Sequence, residues 1–223
     1  MYVYNFSVNK LKHNIILATI GHTLWSLEYP ELVGKLNWDN LNFNISDLAG
    51  SYGTLTFYSN KVVAGFFGIE TYKRLIQNNI EYDFNEFIKN IPDNVIKIFE
   101  EETCQYLLQE HLGKVIPIVT AVFWGRGNKL YSIKSWSELI QNEASIIGFL
   151  LDDWCNVKYK YANDLQLSDR QFRLLDRLNK CKFYSIEHKV RIYKNALILG
   201  EELSKVEYSR VCETLEAVGV EVI

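Results

Sequence analysis

The sequence predicts an α+β fold, in which an antiparallel sheet is built from two β-hairpins, each followed by a helix, with a mainly helical C-terminal region. The prediction depends on two strand-turn-strand patterns, at residues 53–68 and 116–133, and on helical periodicity in the last third of the chain. Val, Phe, Tyr and Thr favour half-buried pleated strands, and short links containing Asn or Gly favour a chain reversal.

The N-terminal part predicts a helix over residues 7–27, because apolar residues recur there at helical spacing. Pro30 suits the first turn of a short following helix, where its missing amide would be unpaired in any case. Leu41, Phe43 and Ile45 alternate with asparagines, a pattern typical of a half-buried strand.

The first hairpin has predicted strands at 54–58 and 62–67, and a helix follows from Thr71. Pro92 and Asp93 open a longer predicted helix that ends at Gly113. The second hairpin has predicted strands at 116–124 and 129–133, followed by a helix that begins with the capping box Ser135 to Glu138.

The two helix starts align without a gap, residues 69–78 with residues 133–142, and share the tetrapeptide Leu-Ile-Gln-Asn. Such self-similarity is compatible with a duplicated hairpin-helix unit. Two copies that share one tetrapeptide could also be a coincidence, and two unrelated hairpins of one antiparallel sheet are the preferred interpretation.

The C-terminal third predicts three helices: one from the capping box Ser168 to Gln171, a buried one at about 186–200, and a last one from the capping box Ser204 to Glu207. Residues 220–223 could add a strand. Because the pattern blurs after residue 156, the expected domains are 1–157 and 158–223, which could also pack together as one domain.

The composition and net charge favour some classes of protein and argue against others. With 223 residues, 48% hydrophobic and 14% aromatic, the chain is expected to fold around a sizeable core. The formal net charge of -3 argues against a strongly basic nucleic-acid binder. Neither a signal peptide nor a membrane-length apolar run is recognisable, so a cytoplasmic location with no membrane partner is expected.

Catalytic and metal-binding patterns are missing from the sequence. The four cysteines are scattered, with no CxxC, and the four histidines form no HExxH pattern. Asp152 and Asp153 could bind a cation or handle protons, but adjacent helical residues point about 100° apart and no third ligand is evident. We therefore predict no catalytic residue, metal or cofactor, and no enzyme.

The turn at residues 125–128, Gly-Arg-Gly-Asn, has two interpretations. Its amides and guanidinium could hold an anion. However, Gly and Asn are also what a tight hairpin turn requires, and the plain turn is the preferred interpretation. Arg126 is exposed in both cases and stays a candidate contact residue.

A protein-binding module is the predicted function, in the form of a small cytoplasmic inhibitor or a bacterial immunity-type protein that blocks a partner protein. Modest acidity, abundant Trp and Tyr, and the missing catalytic patterns favour it. Aromatic residues beside acidic ones make good interface anchors. The predicted partner-binding residues are Asp152, Asp153, Trp154, Arg126 and Trp136.

The alternative is a nucleic-acid-binding protein with a winged-helix-like C-terminal region. Residues 158–194 carry ten Lys or Arg against four Asp or Glu, and a basic stripe on one helix would suit phosphates. The last helix is acidic, however, and a phosphate backbone would repel it. The candidate nucleic-acid-binding residues are Arg170, Arg173, Arg177 and Lys180.

Overall fold

A computed structural model of the chain describes residues 1–78, 80–141, 144–184, 189–197 and 204–223. The strands are β1 (Tyr2–Tyr4), β2 (Leu36–Asp39), β3 (Asn42–Ser46), β4 (Tyr52–Tyr58), β5 (Lys61–Phe67), β6 (Leu108–His111), β7 (Lys114–Pro117), β8 (Ala121–Arg126), β9 (Lys129–Ser132), β10 (Val190–Ile192) and β11 (Val220–Val222). The α-helices are α1 (Val8–Trp25), α2 (Ile69–Gln77), α3 (Asn85–Ile88), α4 (Asp93–Ile98), α5 (Trp136–Gln141), α6 (Ser145–Gly148), α7 (Trp154–Leu165), α8 (Asp169–Tyr184) and α9 (Lys205–Ala217).

Contacts within the chain define two compact units. Unit 1 consists of Met1–Lys10 and Leu41–Phe149, and unit 2 consists of Leu11–Asn40 and Leu150–Ile223. The predicted domains, 1–157 and 158–223, divide the chain differently and stay a prediction.

The large antiparallel sheet of unit 1 confirms the mixed α and β class. Its strands lie in the order β1-β9-β8-β5-β4-β3, and every neighbouring pair is antiparallel. The predicted strand pairs 54–58 with 62–67 and 116–124 with 129–133 correspond to β4–β5 and β8–β9, and β5 pairs with β8 in the middle of the sheet. The turn predicted at residues 125–128 is shorter than expected, because Gly125 and Arg126 lie in β8.

One face of this sheet is covered by the segment from α4 to Leu107. Phe99 and Leu107 are fully buried against Val63, Val122 and their neighbours. Gly65 permits this close approach, because a Cβ there would lie 2.6 Å from the Leu107 Cδ1 atom. The covering segment changes helix type along its length, from α4 to a π-turn (Phe99–Thr103) and a 3₁₀ turn (Cys104–Tyr106).

A buried polar ladder lies on the same face at β3 and β4. The Thr54 hydroxyl donates to Asn44 Oδ1, and the Thr56 hydroxyl donates to Asn42 Oδ1, both at 2.6 Å. Thr103 of the π-turn lies 2.7 Å from the Thr56 hydroxyl. The asparagine side of the predicted strand 41–45 therefore contributes to the interior, since a covering segment satisfies its polar groups.

Two expectations for unit 1 are wrong in detail. The helix predicted to run to Gly113 ends at Tyr106, and β6 and β7 form a separate antiparallel hairpin. The predicted strand 116–124 is divided between β7 and β8, because residues 118–120 leave the β6–β7 pairing before β8 begins. Leu107 and Leu108 fit the helical spacing of the preceding residues, which explains the error.

The two aligned helix starts differ in structure. Helix α2 begins at Ile69 directly after β5, whereas α5 begins at Trp136, the position that aligns with Tyr72. The aligned Asn142 lies outside the described residues.

Unit 2 packs α1 residues against α8 and α9. Its core contains Ile20 and Leu24 of α1, Leu175 and Leu178 of α8, and Val211 and Leu215 of α9, all buried. The buried Gln171 joins α8 to α1, because its Nε2 donates to the Leu24 carbonyl at 2.8 Å.

The two capping boxes predicted in unit 2 are confirmed, but the helix predicted between them is not. Reciprocal capping bonds join Ser168 to Gln171 and Ser204 to Glu207. The helix predicted at 186–200 is wrong over residues 190–192, which form β10 and pair in parallel with β11. Residues 186–188 and 198–200 of that prediction lie outside the described residues. Short apolar runs do not distinguish a helix from a buried strand.

Candidate functional site

A row of three cationic residues crosses three adjacent strands at one end of the unit 1 sheet. Lys61 of β5 is the register partner of Arg126 of β8, and Arg126 is also the partner of Lys129 of β9. Register partners in antiparallel strands point to the same face, so the three side chains leave the sheet together. With strands about 4.8 Å apart, the row is about 10 Å long. We call it the basic row.

Two tight turns position the basic row. Each connects its strands through two residues, Ser59 and Asn60 in one hairpin and Gly127 and Asn128 in the other. Ser59 and Gly127 have positive φ angles of 56° and 59°, which Gly adopts readily. The Gly127 N–H donates to the Asn60 carbonyl at 3.0 Å, and this bond ties the two turns together.

A cleft of about 420 Å³ opens beside the basic row. Its charged side chains are those of Lys61 and Arg126, and Trp124 and Tyr131 form its aromatic wall. Asn90, Asn94 and Met1 also line it. We call it the basic cleft. Its volume falls within the range of sites for small molecules or a few side chains.

The basic row has no carboxylate partner within the part of the chain that the structure describes. Lys61 Nζ lies 5.5 Å from the centre of the Tyr58 ring, and Arg126 and Lys129 are exposed. Like charges directly opposite each other across strands are destabilising by a few tenths of a kcal/mol up to about 1 kcal/mol. An external anion would remove that repulsion.

The aromatic wall is preformed. Trp124 is only 6% exposed, and its ring stacks on Tyr131 with centroids 6.0 Å apart and an interplanar angle of 22°. The Trp124 ring is therefore already covered by the protein, and it offers the cleft an apolar edge more than an open stacking face.

Arg126 is the predicted contact residue that the structure brings into this cleft. Trp136, also in unit 1, is half-buried between Tyr4 and Phe123, with ring centroids 4.9 and 5.6 Å away. Its buried indole nitrogen has no hydrogen-bond partner among the described residues. Its surroundings are those of a packing residue.

Asp152, Asp153 and Trp154 lie in unit 2, where α7 begins. The exposed Asp152 carboxylate accepts hydrogen bonds from the Asp153 backbone N–H at 2.6 Å and from Asn156 Nδ2 at 3.2 Å. Trp154 packs against the unit 2 core, and its ring is nearly perpendicular to that of His13, at an interplanar angle of 81°. The two acids therefore stand at a helix start, and Trp154 is half-buried behind them.

The four candidate nucleic-acid residues lie on the exposed side of α8, as their spacing predicts. Arg170 donates to the Asn195 carbonyl, and Lys180 pairs with Asp176 at 3.1 Å. Arg173 and Arg177 have neither an ion pair nor a hydrogen bond among the described residues. Asp176, which also binds Lys158 at 2.6 Å, places a negative charge within the stripe.

Sequence reasoning missed Lys61, Lys129 and Trp124 as members of the site. A local signal existed, since Lys129 follows a two-residue turn and must face Arg126 if that turn is tight. The position of Lys61 opposite Arg126 depends on the pairing of β5 with β8, which are more than fifty residues apart in the chain.

Titratable groups elsewhere do not assemble a reaction centre in the described part of the chain. No group of three or more His, Cys, Asp or Glu side chains there could hold a metal ion. Burial lowers the pKa of His22 to about 4, and its Nε2 donates to the Leu32 carbonyl at 2.8 Å. His188 lies outside the described residues.

A second cavity in unit 1, of about 360 Å³, is lined by Tyr82, Phe84, Glu100 and Cys104 among others. Burial raises the pKa of the Cys104 thiol to about 12, so it stays protonated at neutral pH. The Tyr82 hydroxyl donates to the Pro117 carbonyl and accepts from the Val119 N–H, and burial raises its pKa. Neither group is activated as a nucleophile or base.

No protein-family profile, curated protein or solved structure matches this chain. Among the described helices, none combines the length and the apolar character that a bilayer crossing requires. The function is therefore argued from the residues of the chain itself.

Proposed function

We propose that the protein is a non-catalytic protein-binding module that contacts a partner protein through the basic cleft. The observation that supports this most directly is the basic row, Lys61, Arg126 and Lys129, which has no carboxylate among the described residues. A folded chain gains nothing from three like charges in register, whereas a partner that supplies carboxylates turns the repulsion into attraction.

Arg126 is the expected anchor of this contact. Arginine is enriched at the energetic centres of interfaces, because its planar guanidinium binds a carboxylate through two parallel hydrogen bonds. The half-buried Lys61 and the buried Trp124 line the cleft together with Arg126.

Inhibition is the proposed outcome of this binding, as in a small cytoplasmic inhibitor or bacterial immunity-type protein. The modest acidity and the high aromatic content support this role. Asp152, Asp153 and Trp154 in unit 2 are proposed as further contacts, because the two acids are exposed and carry charge opposite to that of the basic cleft.

Co-expression with the products of the two flanking genes tests the proposal. We expect one product to form a stoichiometric complex and to lose its toxic or enzymatic activity in it. The double variant Lys61→Glu, Arg126→Glu should weaken that complex by about tenfold or more. Arg74→Glu, a charge reversal on the exposed helix α2, is the matched control and should leave binding unchanged.

A complex that forms equally well with the double variant would exclude the basic cleft as the contact. Complex formation with neither product, together with flanking genes for metabolic enzymes, would count against the inhibitor role.

The second candidate function is nucleic-acid binding through α8. Arg170, Arg173, Arg177 and Lys180 share the exposed side of that helix, which favours contact with a phosphate backbone. Fluorescence anisotropy with duplex DNA and with RNA at low salt tests it. The triple variant Arg170→Ala, Arg173→Ala, Arg177→Ala should lose the signal and flatten its salt dependence. No binding at low salt would remove this candidate.

We also propose how the strands and helices are grouped. Two hairpin-helix units, β4–β5 with α2 and β8–β9 with α5, and a mainly helical region after residue 157 are the arrangement that we favour. The β10–β11 pairing adds a short parallel sheet to that helical region.

A further inference from the structure

We infer that the basic cleft takes an extended acidic peptide segment, in which two carboxylates stand on alternate residues. The inference rests on the proposed function and names the chemistry of the partner surface. Its occupant is a segment of a partner protein with acidic residues at positions i and i+2.

The length of the basic row sets the spacing of the carboxylates. Alternate residues of an extended strand lie on the same face, about 7 Å apart. Two carboxylates at that separation fit along a row of about 10 Å, so that each meets one or two of the three cations. A single small anion would engage only part of the row.

The walls of the cleft suit a peptide. Asn90 and Asn94 also line the cleft, and neither side-chain amide is engaged in a hydrogen bond among the described residues. An amide both donates and accepts, so it matches the N–H and C=O groups of an extended backbone.

A nucleic acid fits the same cleft poorly. Sequence-tolerant binding of single strands depends on open aromatic faces on which bases stack. Trp124 is 6% exposed and is covered by Tyr131, so that face is already occupied. The Gly127 N–H is also bound to the Asn60 carbonyl, so it is not available to a phosphate oxygen.

The test uses a blocked hexapeptide of sequence Ser-Glu-Leu-Glu-Leu-Ser and ¹⁵N-labelled full-length protein. We expect the indole resonance of Trp124 and the amide resonances of residues 125–129 to shift on titration. The peptide with Gln in place of both Glu residues should bind at least about tenfold more weakly. Raising the salt from about 50 to about 300 mM should weaken binding of the Glu peptide.

Single variants assign the binding to the cleft. Arg126→Ala and Lys61→Ala should each raise the Kd by about fivefold, because each removes a charge-assisted contact. Arg74→Ala, on α2 of the same unit, controls for the loss of net charge and should leave the Kd unchanged. Near-ultraviolet circular dichroism of each variant checks that the fold is kept.

Three results would overturn the inference. They are equal binding of the Glu and Gln peptides, binding that Arg126→Ala leaves intact, and tighter binding of a thymidine decanucleotide or of inorganic phosphate. Failure here, with a flanking gene product still bound through Arg126, would reject the acidic segment and keep the proposed function. Binding of the Glu peptide, with no flanking gene product bound, would keep the acidic segment and reject the proposed function.

Discussion

The sequence predicts Arg126 to be an exposed contact residue, and its neighbours in the sheet give a physical reason for a binding role. On its own it is a cation at the end of a hairpin. Between Lys61 and Lys129 it is the centre of a row of like charges that the sheet holds in register. A residue that lowers the stability of the fold is expected where its identity is determined by binding and not by folding.

Replacing Arg126 should therefore stabilise the free protein. Arg126→Gln removes the central charge of the row, and we expect a gain of roughly 0.2–1 kcal/mol in the free energy of unfolding at low salt. The gain should shrink as salt screens the row. Urea unfolding at low and high ionic strength measures it.

Arg74→Gln is the control for this stability change. The Arg74 side chain donates to the Glu70 carbonyl and to the Thr71 hydroxyl within α2, so its removal offers no relief of repulsion. A loss of stability in Arg126→Gln would show that Arg126 supports the fold, and would weaken the argument for a binding role.

At the scale of elements, the covering segment depends on glycine at the centre of β5. A Cβ at Gly65 would lie 2.6 Å from Leu107 and 2.9 Å from Phe99, both of which are fully buried. A well-packed core can shift only slightly to accommodate an added methyl group, so overpacking of this kind lowers the free energy of unfolding by about 1–3 kcal/mol.

We expect Gly65→Ala to lower the free energy of unfolding by that amount, as measured by denaturant titration. Gly34→Ala is the matched control, since no atom lies within 4 Å of its added Cβ, and its effect should stay within about 0.5 kcal/mol of zero. Equal stabilities of the two variants would mean that the covering segment is loosely packed.

Local elements were predictable, and pairings distant in sequence were not. The capping boxes at Ser168 and Ser204 and the tight turn at Gly127 depend on neighbouring residues, and all three are present. The basic row depends on the pairing of β5 with β8, which no local pattern encodes. The strand at 190–192 was mistaken for a helix because its pairing partner, β11, is remote in the chain.

The candidate site shows the same limit at the level of single side chains. Arg126 was predictable because a hairpin turn exposes its flanking residues. Trp124, two residues earlier on the same strand, could not be distinguished from any other buried aromatic. Its role emerges only when Tyr131 and Arg126 are seen on the same face.

For the whole molecule, buried histidines predict a loss of stability in acid. Burial lowers the pKa of His22 to about 4, and burial also lowers the pKa of His13. A group whose pKa is lower in the folded state binds fewer protons than the unfolded chain as the pH falls. Its contribution is therefore complete above pH 6.5 and is lost between about pH 6.5 and 4.

We expect the free energy of unfolding to fall across that range, with His22 responsible for a loss on the order of 3 kcal/mol. Urea unfolding at several pH values measures the slope. His22→Gln should be less stable at neutral pH and should show a shallower decline in acid. A slope identical to that of the natural protein would assign the acid sensitivity to other groups.

The bond between the Gly127 amide and the Asn60 carbonyl has an evolutionary consequence. It fixes the geometry of the cleft rim through the backbone, so the identities of the side chains at positions 61, 126 and 129 are free to drift. A lineage could exchange cations there for acids or apolar residues and acquire a new target, while the scaffold beneath stays the same.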